Sequence, residues 1–416
     1  MRVLHLATTY PLHPADSNAT FVASIADGLA AKGHECDVLV PWHPELQVAR
    51  SGGARVIGFR YSPLRNWHPW GYAQALTADR QLRSDAYLAA PLAAFAARRR
   101  IRRLHRQRPY DLLHAHWFLP NGAIAASAWR ATGLPLIVSC HGSGVFLAEK
   151  HRWATSMGRY VKRHADAITA CSTDLAERVD ALGAGPQAKR VPYGVDTRRF
   201  RPLEEAERGA RRAQLAARHG LREEALWVFA IGRLVFKKGF DVLLKAAAEA
   251  LRAGADLEVI LAGGGPLKTD LLELASASGV GERLHLLGAL PNVEVPDYYA
   301  ASDVTAVPSV HGPDGNVDGL PNTLLESLSS GAAVVASRVA GIPDVLRHGD
   351  NGLLFAEGDV EALAENLVTL ANDRRQVADL GRRARLDALD NLDWEHAVER
   401  FERLYEGARA QQGGAA

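Results

Sequence analysis

Short apolar runs alternate along this chain with longer stretches in which apolar positions return every three or four residues. Val3–Ala7 and Cys36–Val40 are runs of the first kind and read as buried strands. Between them, Phe21 to Lys32 has the helical period, and Gly33 suits its exit. Leu112–Ala115, Leu136–Ser139 and Ala167–Ala170 continue the strand signals. After residue 200 the rhythm restarts at Leu226–Ile231, Leu257–Ala262, Leu284–Leu287, Val304–Val307 and Ala333–Ala336, each followed by a helix-like stretch. This alternation predicts an α/β protein with parallel sheets and helices on both faces. Arg201 to Glu224, rich in charge and alanine, reads as a linker holding a solvated helix. The stretch after Asp359 reads as helical, and the terminal GGAA as frayed. Two doubly wound domains in tandem would leave a cleft, with ligands beyond the carboxyl ends of the strands.

Composition narrows this picture. At 416 residues the chain is too long for one ordinary domain. Its three cysteines, Cys36, Cys140 and Cys171, are odd in number, widely spaced and in no CxxC pair. They argue against a disulfide framework or a zinc site and fit a reducing compartment, the cytoplasm. The N-terminus enters a strand at once, and no apolar run is long enough to span a bilayer.

A net charge of +2 hides an asymmetry. Residues 1–200 carry 26 Lys and Arg against 14 Asp and Glu, net +12; residues 201–416 carry 23 against 33, net −10. The basic half suits an anionic acceptor or an anionic membrane surface, on the inner face of the bilayer. Arg98–Arg108 holds seven arginines. As a helix it has an apolar stripe of Ala94, Ala97, Ile101 and Leu104, flanked by Arg98, Arg102 and Arg106. Trp67, Trp70 and Tyr72 stand in a preceding loop. A basic helix near aromatics suits an anionic leaflet, and a solvated charged face explains the same pattern equally well. No nucleic-acid recognition motif accompanies the charge.

The segment DGLPNTLLESLSS, Asp318 to Ser330, has the richest chemistry. Asn322 suits a helix N-cap, Pro321 stiffens the entry and Gly331 suits the exit. The opening N–H groups near Thr323 and Leu324 would form an anion site. Glu326, about one turn further in, is placed to accept hydrogen bonds from a ribose diol, with Asp318 in the loop before. Phosphate, ribose and a third group together suggest a nucleotide-linked substrate.

Other motifs fall at strand ends. In GRLVFKKGF, Arg233 and Lys238 precede a helix near Phe240, an arrangement that suits a diphosphate as well as a solvated basic loop. Gly264 centres the GGG of LAGGGPL, which lets backbone approach a ligand but lacks the spacing of the dinucleotide fingerprint. His141 in CHGSGVF follows a strand, as a packed residue or as one facing the cleft. His114 and His116 would point the same way from one strand, as a metal pair needs, but no third ligand stands near them in sequence. No metal is expected.

Taken in order, these pieces resemble family 4 of the glycosyltransferases, the large retaining family with the GT-B fold. The resemblance spans nearly the whole chain and includes TYPLHPADSNATFV, DLLHAHWFLPNG, VSCHGSGVF, VPYGVDTRRFRP, IGRLVFKKGFDVLL, LAGGGPL, LGALPNVEVPDYYAASDVTAVPS, DGLPNTLLESLSSGAAVVAS and GIPDVLRHGDNGLLF. It implies two Rossmann-like domains facing across a cleft. Residues 1–200 would bind acceptor and 201–375 a nucleotide-sugar donor. Residues 376–416 would pack back on the first domain.

It also implies site roles. Arg233 and Lys238 match the cationic pair on the donor diphosphate. Glu326 matches the second acid of the E-x7-E motif, which binds ribose, and Asp318 falls on the first, which contacts the transferred sugar. Backbone around Asn322–Leu324 would hold phosphate, Leu290 and Pro291 border the base, and His141 lies near the scissile bond. There are departures: Asp318 and Asp344 replace Glu, Gly144 replaces a frequent Asp, and Ser17-Asn18-Ala19 stands where paired glycines are typical. Asn18 is thus a candidate on the acceptor side.

The implied activity is retaining transfer of a hexosyl unit from a nucleotide diphosphate sugar to a hydroxyl of a lipid-linked or saccharide acceptor, in synthesis of bacterial polysaccharide, glycolipid or a related glycoconjugate. The donor is a substrate, and no cofactor is implied. Two rivals keep the architecture. A sugar-nucleotide epimerase would isomerise donor without acceptor, and a silent binder would take up donor without transfer.

Overall fold

Strands such as Val304–Val307 and Ala333–Ser337 are buried at every residue, which explains why their sequences are mostly apolar without alternation. The computed structural model describes residues 1–13, 16, 18–46, 53–62, 64, 67–72, 83–313 and 315–413. Ser17 and the last three residues of the GGAA tail lie outside the described residues. The chain divides into two units, Met1–Tyr193 with Trp394–Ala416, and Gly194–Asp393. The first division falls a few residues before 200.

The first unit runs β1 (Arg2–Leu6), α1 (Thr20–Ala31), β2 (Glu35–Pro41), β3 (Arg55–Phe59), α2 (Ser84–Gln107), β4 (Leu112–His116), α3 (Ala123–Thr132), β5 (Leu136–Cys140), α4 (Ser143–Lys150), α5 (Arg152–His164), β6 (Ala167–Ala170), α6 (Thr173–Ala181) and β7 (Ala188–Arg190). Its seven strands are ordered β3-β2-β1-β4-β5-β6-β7. Every pairing is parallel; Val3, for example, stands opposite both Cys36 and Leu112. The strand order reverses at β1, so the loops after β1 and β4 diverge and open a crevice at the carboxyl edge.

The second unit begins with α7 (Glu205–His219), then β8 (Leu226–Ile231), α8 (Phe240–Arg252), β9 (Leu257–Ala262), α9 (Lys268–Ser278), β10 (Leu284–Gly288), α10 (Val295–Ala301), β11 (Val304–Val307), α11 (Asn322–Ser330), β12 (Ala333–Ser337), β13 (Leu353–Phe355), α12 (Val360–Asn372) and α13 (Arg374–Asp387). Its sheet, β10-β9-β8-β11-β12-β13, is parallel throughout and reverses at β8. This is the two-domain α/β architecture of the GT-B fold.

Three strands escaped the apolar pattern. β3 carries Gly58 at the sheet edge, β7 reads Ala-Lys-Arg, and β13 is three residues long. The supposed linker at 201–224 is a correction: α7 packs into the second unit. Arg212 is buried against the Trp227 ring at 4.0 Å and pairs with Asp303 at 3.1 Å. Asp303 also pairs with Arg208 and Arg374. A charge-rich helix reads as solvated in sequence, but here the charges meet a buried counter-charge.

The returning segment begins at Trp394, later than the expected 376. Helix α14 (Trp394–Gly413) places Val398, Phe401, Leu404, Tyr405 and Ala408 in the core formed by α1, β1 and β2. Phe401→Ala is expected to lower the unfolding free energy of the first unit by about 3–5 kcal/mol in urea titration. The exposed Glu406→Ala should stay within about 0.5 kcal/mol.

Candidate functional site

In the second unit, the site grows from the loop after β8. There a single 3-10 turn, Phe236–Lys238, is closed by Gly239 at φ 63°. A Cβ on Gly239 would lie 1.8 Å from the Pro308 carbonyl oxygen, so only glycine lets this turn press against the end of β11. The turn presents Lys237 and Lys238 to Asp318, at 2.9 and 2.5 Å from its two carboxylate oxygens. Burial works to raise the Asp318 pKa, but the two lysine charges and hydrogen bonds outweigh it and hold the carboxyl well below its usual range. Arg233 stands exposed at the start of this loop, and Gly264 is exposed in the loop after β9.

Helix α11 starts at Asn322, with Pro321 in the extended conformation that precedes a helix (φ −68°, ψ 125°). This corrects the expected cap: Asn322 is the first helical residue, and no side chain caps the end. The Leu324 N–H is already taken by the Pro321 carbonyl at 3.1 Å. Asn322 and Thr323 therefore supply the remaining N–H groups of the first turn. Gly331 closes the helix at φ 74°, as its sequence suggests. Glu326 accepts a hydrogen bond from the Tyr299 hydroxyl at 3.1 Å. Burial pushes the Glu326 carboxyl up, against the Tyr299 bond and the charges of Arg199 and Lys238. Arg199 also donates to the Asn292 side chain at 2.8 Å, in the loop that holds half-buried Leu290.

Sequence reasoning missed three residues here. Lys237 was hidden beside Lys238, Tyr299 in an ordinary YY pair, and Arg199 more than one hundred positions from the acid it influences. Only the second lysine of Lys237-Lys238 carries a motif signal, yet both reach Asp318.

In the first unit, His141 follows β5 directly. Its Nδ1 meets the Tyr193 hydroxyl at 2.8 Å and its Nε2 meets His116 Nδ1 at 3.3 Å. Phe21, Trp117 and Tyr193 surround the ring with centroids at 4.6, 5.3 and 5.7 Å. The third histidine absent from the local sequence is His5 on β1, whose Nδ1 lies 3.1 Å from His116 Nε2. Ring nitrogens of His5, His114 and His116 fall within 4.8 Å of one another, the grouping a metal would need. Those nitrogens are largely committed to hydrogen bonds: His114 meets the Tyr405 hydroxyl and Ser139 Oγ at 2.6 and 2.7 Å.

Nearby, Asn18 is exposed and hydrogen-bonds Asp16 through its backbone and side-chain nitrogens. Ala19 adopts φ 51°, the conformation for which the resemblance leads one to expect glycine. The Gly144 departure has a steric cause, since a Cβ there would lie 2.6 Å from the Leu119 backbone nitrogen and oxygen. On α2, Arg98 and Arg106 are exposed and Arg102 half-buried, while Ala93, Ala97, Ile101 and Leu104 face the core. Ala94 is only half-buried, one position off the expected stripe. The aromatic group of the preceding loop turns inward: the Tyr72 hydroxyl bonds the Pro41 carbonyl at 3.0 Å, and Trp67 and Trp70 are half-buried.

Residues 19–194 match a family model described as glycosyl transferase 4-like domain, and residues 211–387 match glycosyl transferases group 1. A GDP-mannose-dependent alpha-(1-6)-phosphatidylinositol monomannoside mannosyltransferase of Mycolicibacterium smegmatis is 32% identical over 298 residues, covering 70% of this chain and 76% of the relative. A D-inositol 3-phosphate glycosyltransferase of Nocardia farcinica is 32% identical over 336 residues, covering 76% and 71%. Among solved structures, sucrose-phosphate synthase from Thermosynechococcus elongatus superposes with a TM-score of 0.78 at 20% identity, covering 100% of both chains. Anabaena HepE in complex with UDP-glucose gives 0.73 at 18% identity, covering 98% and 99%.

The histidine group makes stability depend on pH. Burial lowers the pKa of His5 and of His141 to about 3 each, and those of His114 and His116 well below the ordinary value. These groups stay neutral in the folded state and protonate near 6.5 when unfolded. Their stabilising contribution is therefore complete above about pH 6.5 and is lost as pH falls toward 3. Each adds a slope of up to about 1.4 kcal/mol per pH unit. Urea midpoints should be flat from pH 8 to 7 and fall steeply from 6.5 to 5, a range in which ordinary carboxylates remain ionised. His5→Leu should flatten that slope, and a midpoint independent of pH would contradict the assignment.

Proposed function

The chain belongs to the group 1 glycosyltransferases of family 4, and on that premise we propose that it moves a hexosyl unit, with retention, from a nucleotide diphosphate sugar to a hydroxyl acceptor. The observation that carries the donor assignment is the joining of Lys238 to Asp318 in the same unit where α11 brings Glu326 against Tyr299. Two cations, Lys237 and Lys238, and the acids read here as sugar-side and ribose-side, Asp318 and Glu326, thus belong to one unit, which supports the reading.

In this reading Glu326 receives the ribose diol, and the first turn of α11 and the exposed backbone at Gly264 receive phosphate. Leu290 borders the base. Arg233, Lys237 and Lys238 stabilise charge as the C1–O bond to the leaving diphosphate breaks. Donor binding gives Lys237 and Lys238 a stronger anion than Asp318, releasing that carboxylate toward the sugar. The leaving phosphate oxygen takes the acceptor proton on the same face, which requires no carboxylate nucleophile. His141, held neutral and with both ring nitrogens engaged by His116 and Tyr193, serves the sugar through its main chain and its fixed ring position and not as a proton donor.

The acceptor falls to the basic first unit. The M. smegmatis relative named for phosphatidylinositol monomannoside and the N. farcinica relative named for D-inositol 3-phosphate support an anionic, phosphate-bearing acceptor, lipid-linked or saccharide. No helix among the described residues is long and apolar enough to cross a membrane. Helix α2 offers a peripheral contact. Leu88, Leu92 and Phe95 are exposed on one face, with Leu88 at 73% and Phe95 at 66%, and Arg99, Arg103 and Arg106 continue that face. An apolar half followed by a cationic half suits an anionic leaflet.

Lys238→Ala is expected to lower kcat/KM by about 10²–10³ with the fold intact, as for loss of one transition-state charge partner. Glu326→Ala should mainly raise the donor KM, by about ten- to a hundredfold. Assays with GDP-mannose and UDP-glucose, with the product anomer read by NMR, decide donor and stereochemistry; an inverted product or unchanged Lys238→Ala turnover overturns the reading.

Sedimentation with phosphatidylglycerol vesicles should bring the protein down, and pure phosphatidylcholine should not. The double variant Leu92→Asp, Phe95→Asp should weaken vesicle binding about tenfold or more. Equal binding to both vesicle types would refute the anionic contact.

A further inference from the structure

Three histidines and a tyrosine, drawn from four separate segments, form a single hydrogen-bonded chain. It runs from His5 Nδ1 to His116 Nε2 at 3.1 Å, from His116 Nδ1 to His141 Nε2 at 3.3 Å, and from His141 Nδ1 to the Tyr193 hydroxyl at 2.8 Å. His114 stands beside this chain but outside it, bonded to Tyr405 and Ser139. A neutral imidazole has one N–H and one bare nitrogen. In a row of such rings each bond needs one donor and one acceptor, so all three rings must share a tautomer. Either every proton sits on Nδ1 and the chain donates toward Tyr193, or every proton sits on Nε2 and it donates toward His5.

The inner end decides between them. His5 Nε2 is buried and has no hydrogen-bond partner among the described residues. If the chain donated inward, this atom would be an N–H facing the core with no acceptor. If it donates outward, the same atom is only an unused lone pair. Orphaned N–H groups are rarer in protein interiors than under-used acceptors.

We infer that His5, His116 and His141 are locked together as Nδ1–H tautomers and that His116 is the positioning residue that sets the proton and ring orientation of His141. The His116 N–H caps the His141 Nε2 lone pair. His141 in turn donates to the Tyr193 oxygen, whose own proton is directed away from the ring. Free neutral histidine favours the opposite tautomer, so the arrangement is imposed by the fold. Burial, which lowers the pKa of each ring, keeps the chain uncharged at neutral pH; the Asp37 charge acts on His5 in the opposite sense but does not offset it. The functional weight of this device rests on the proposed role of His141 in sugar transfer, whereas the tautomer itself does not.

The test uses the full chain labelled with 15N-histidine and long-range proton–nitrogen correlation at neutral pH. Cross-peaks are assigned by their loss in single-site variants. His5, His116 and His141 should each show a protonated Nδ1 and a bare Nε2. Protonated Nε2 on His141, or a charged ring, overturns the inference whether or not the protein transfers sugar. His116→Asn sets an amide N–H near the lost Nδ1 and should keep the His141 tautomer. His116→Phe retains the bulk without the donor and should let His141 shift to Nε2–H. Turnover separates them further: kcat should fall about tenfold or more in His116→Phe and much less in His116→Asn, with donor KM unchanged in both. Identical His141 spectra in the two variants would refute the positioning role, and if His116→Phe fails to fold, the wild-type spectrum alone decides.

Discussion

Parallel strand pairing is the constraint on which the rest of this structure depends. A parallel sheet aligns every strand the same way, so the carboxyl ends collect along one edge. In the first unit that edge gathers His116 and His141, from the ends of two neighbouring strands. In the second it gathers the loop carrying Lys237 and Lys238, the triple-glycine turn after β9, and the approach to α11. Each parallel crossover must return along the sheet, in most cases through a helix, which is why residues that meet lie tens of positions apart. Lys238 and Asp318 are 80 residues apart and share a hydrogen bond.

The candidate sites of the two units hold buried polar groups by different physical means, although the first unit elsewhere also buries ion pairs, Asp37 with Arg2 and Arg55 and Lys162 with Asp180. The second relies on opposite charge: Asp318 between two lysines, and Asp303 among three arginines. A buried ion pair holds its groups charged and gives way only to a stronger partner, as suits a site meant to receive a diphosphate. The first relies on sharing neutral protons. Among the described residues burial outweighs the Asp37 charge at His5 and lowers the pKa of His114 and His116, so these histidines stay neutral and are joined largely nitrogen to nitrogen. Such a network is rigid when every member is satisfied, and its one orphan atom, His5 Nε2, gives it a direction.

Much of this was legible in the residues. The strands at Ala167–Ala170 and Leu226–Ile231 coincide with the apolar runs, because strands buried on both faces have no polar alternation to obscure them. The entry at Pro321 and the exit at Gly331 were legible too, because backbone geometry there is a local matter; the capping role assigned to Asn322 was not, since a one-residue offset in the helix start is set by packing. Edge strands β3 and β7 were hidden by glycine and by charge. Helix α7 was misjudged because its sequence reports charge but not the location of Asp303.

By itself the sequence determined the α/β alternation, the family resemblance, and the residue types suited to diphosphate and ribose, since period, turn chemistry and motif spacing are all local properties. Tertiary structure alone decided that His5 completes the histidine group, that Lys237 joins Lys238 on Asp318, that Tyr299 supports Glu326, and that the last helix closes the core of the first unit. Those meetings depend on strand order and register, and parallel crossovers bring together residues whose separation along the chain carries no signal of their contact.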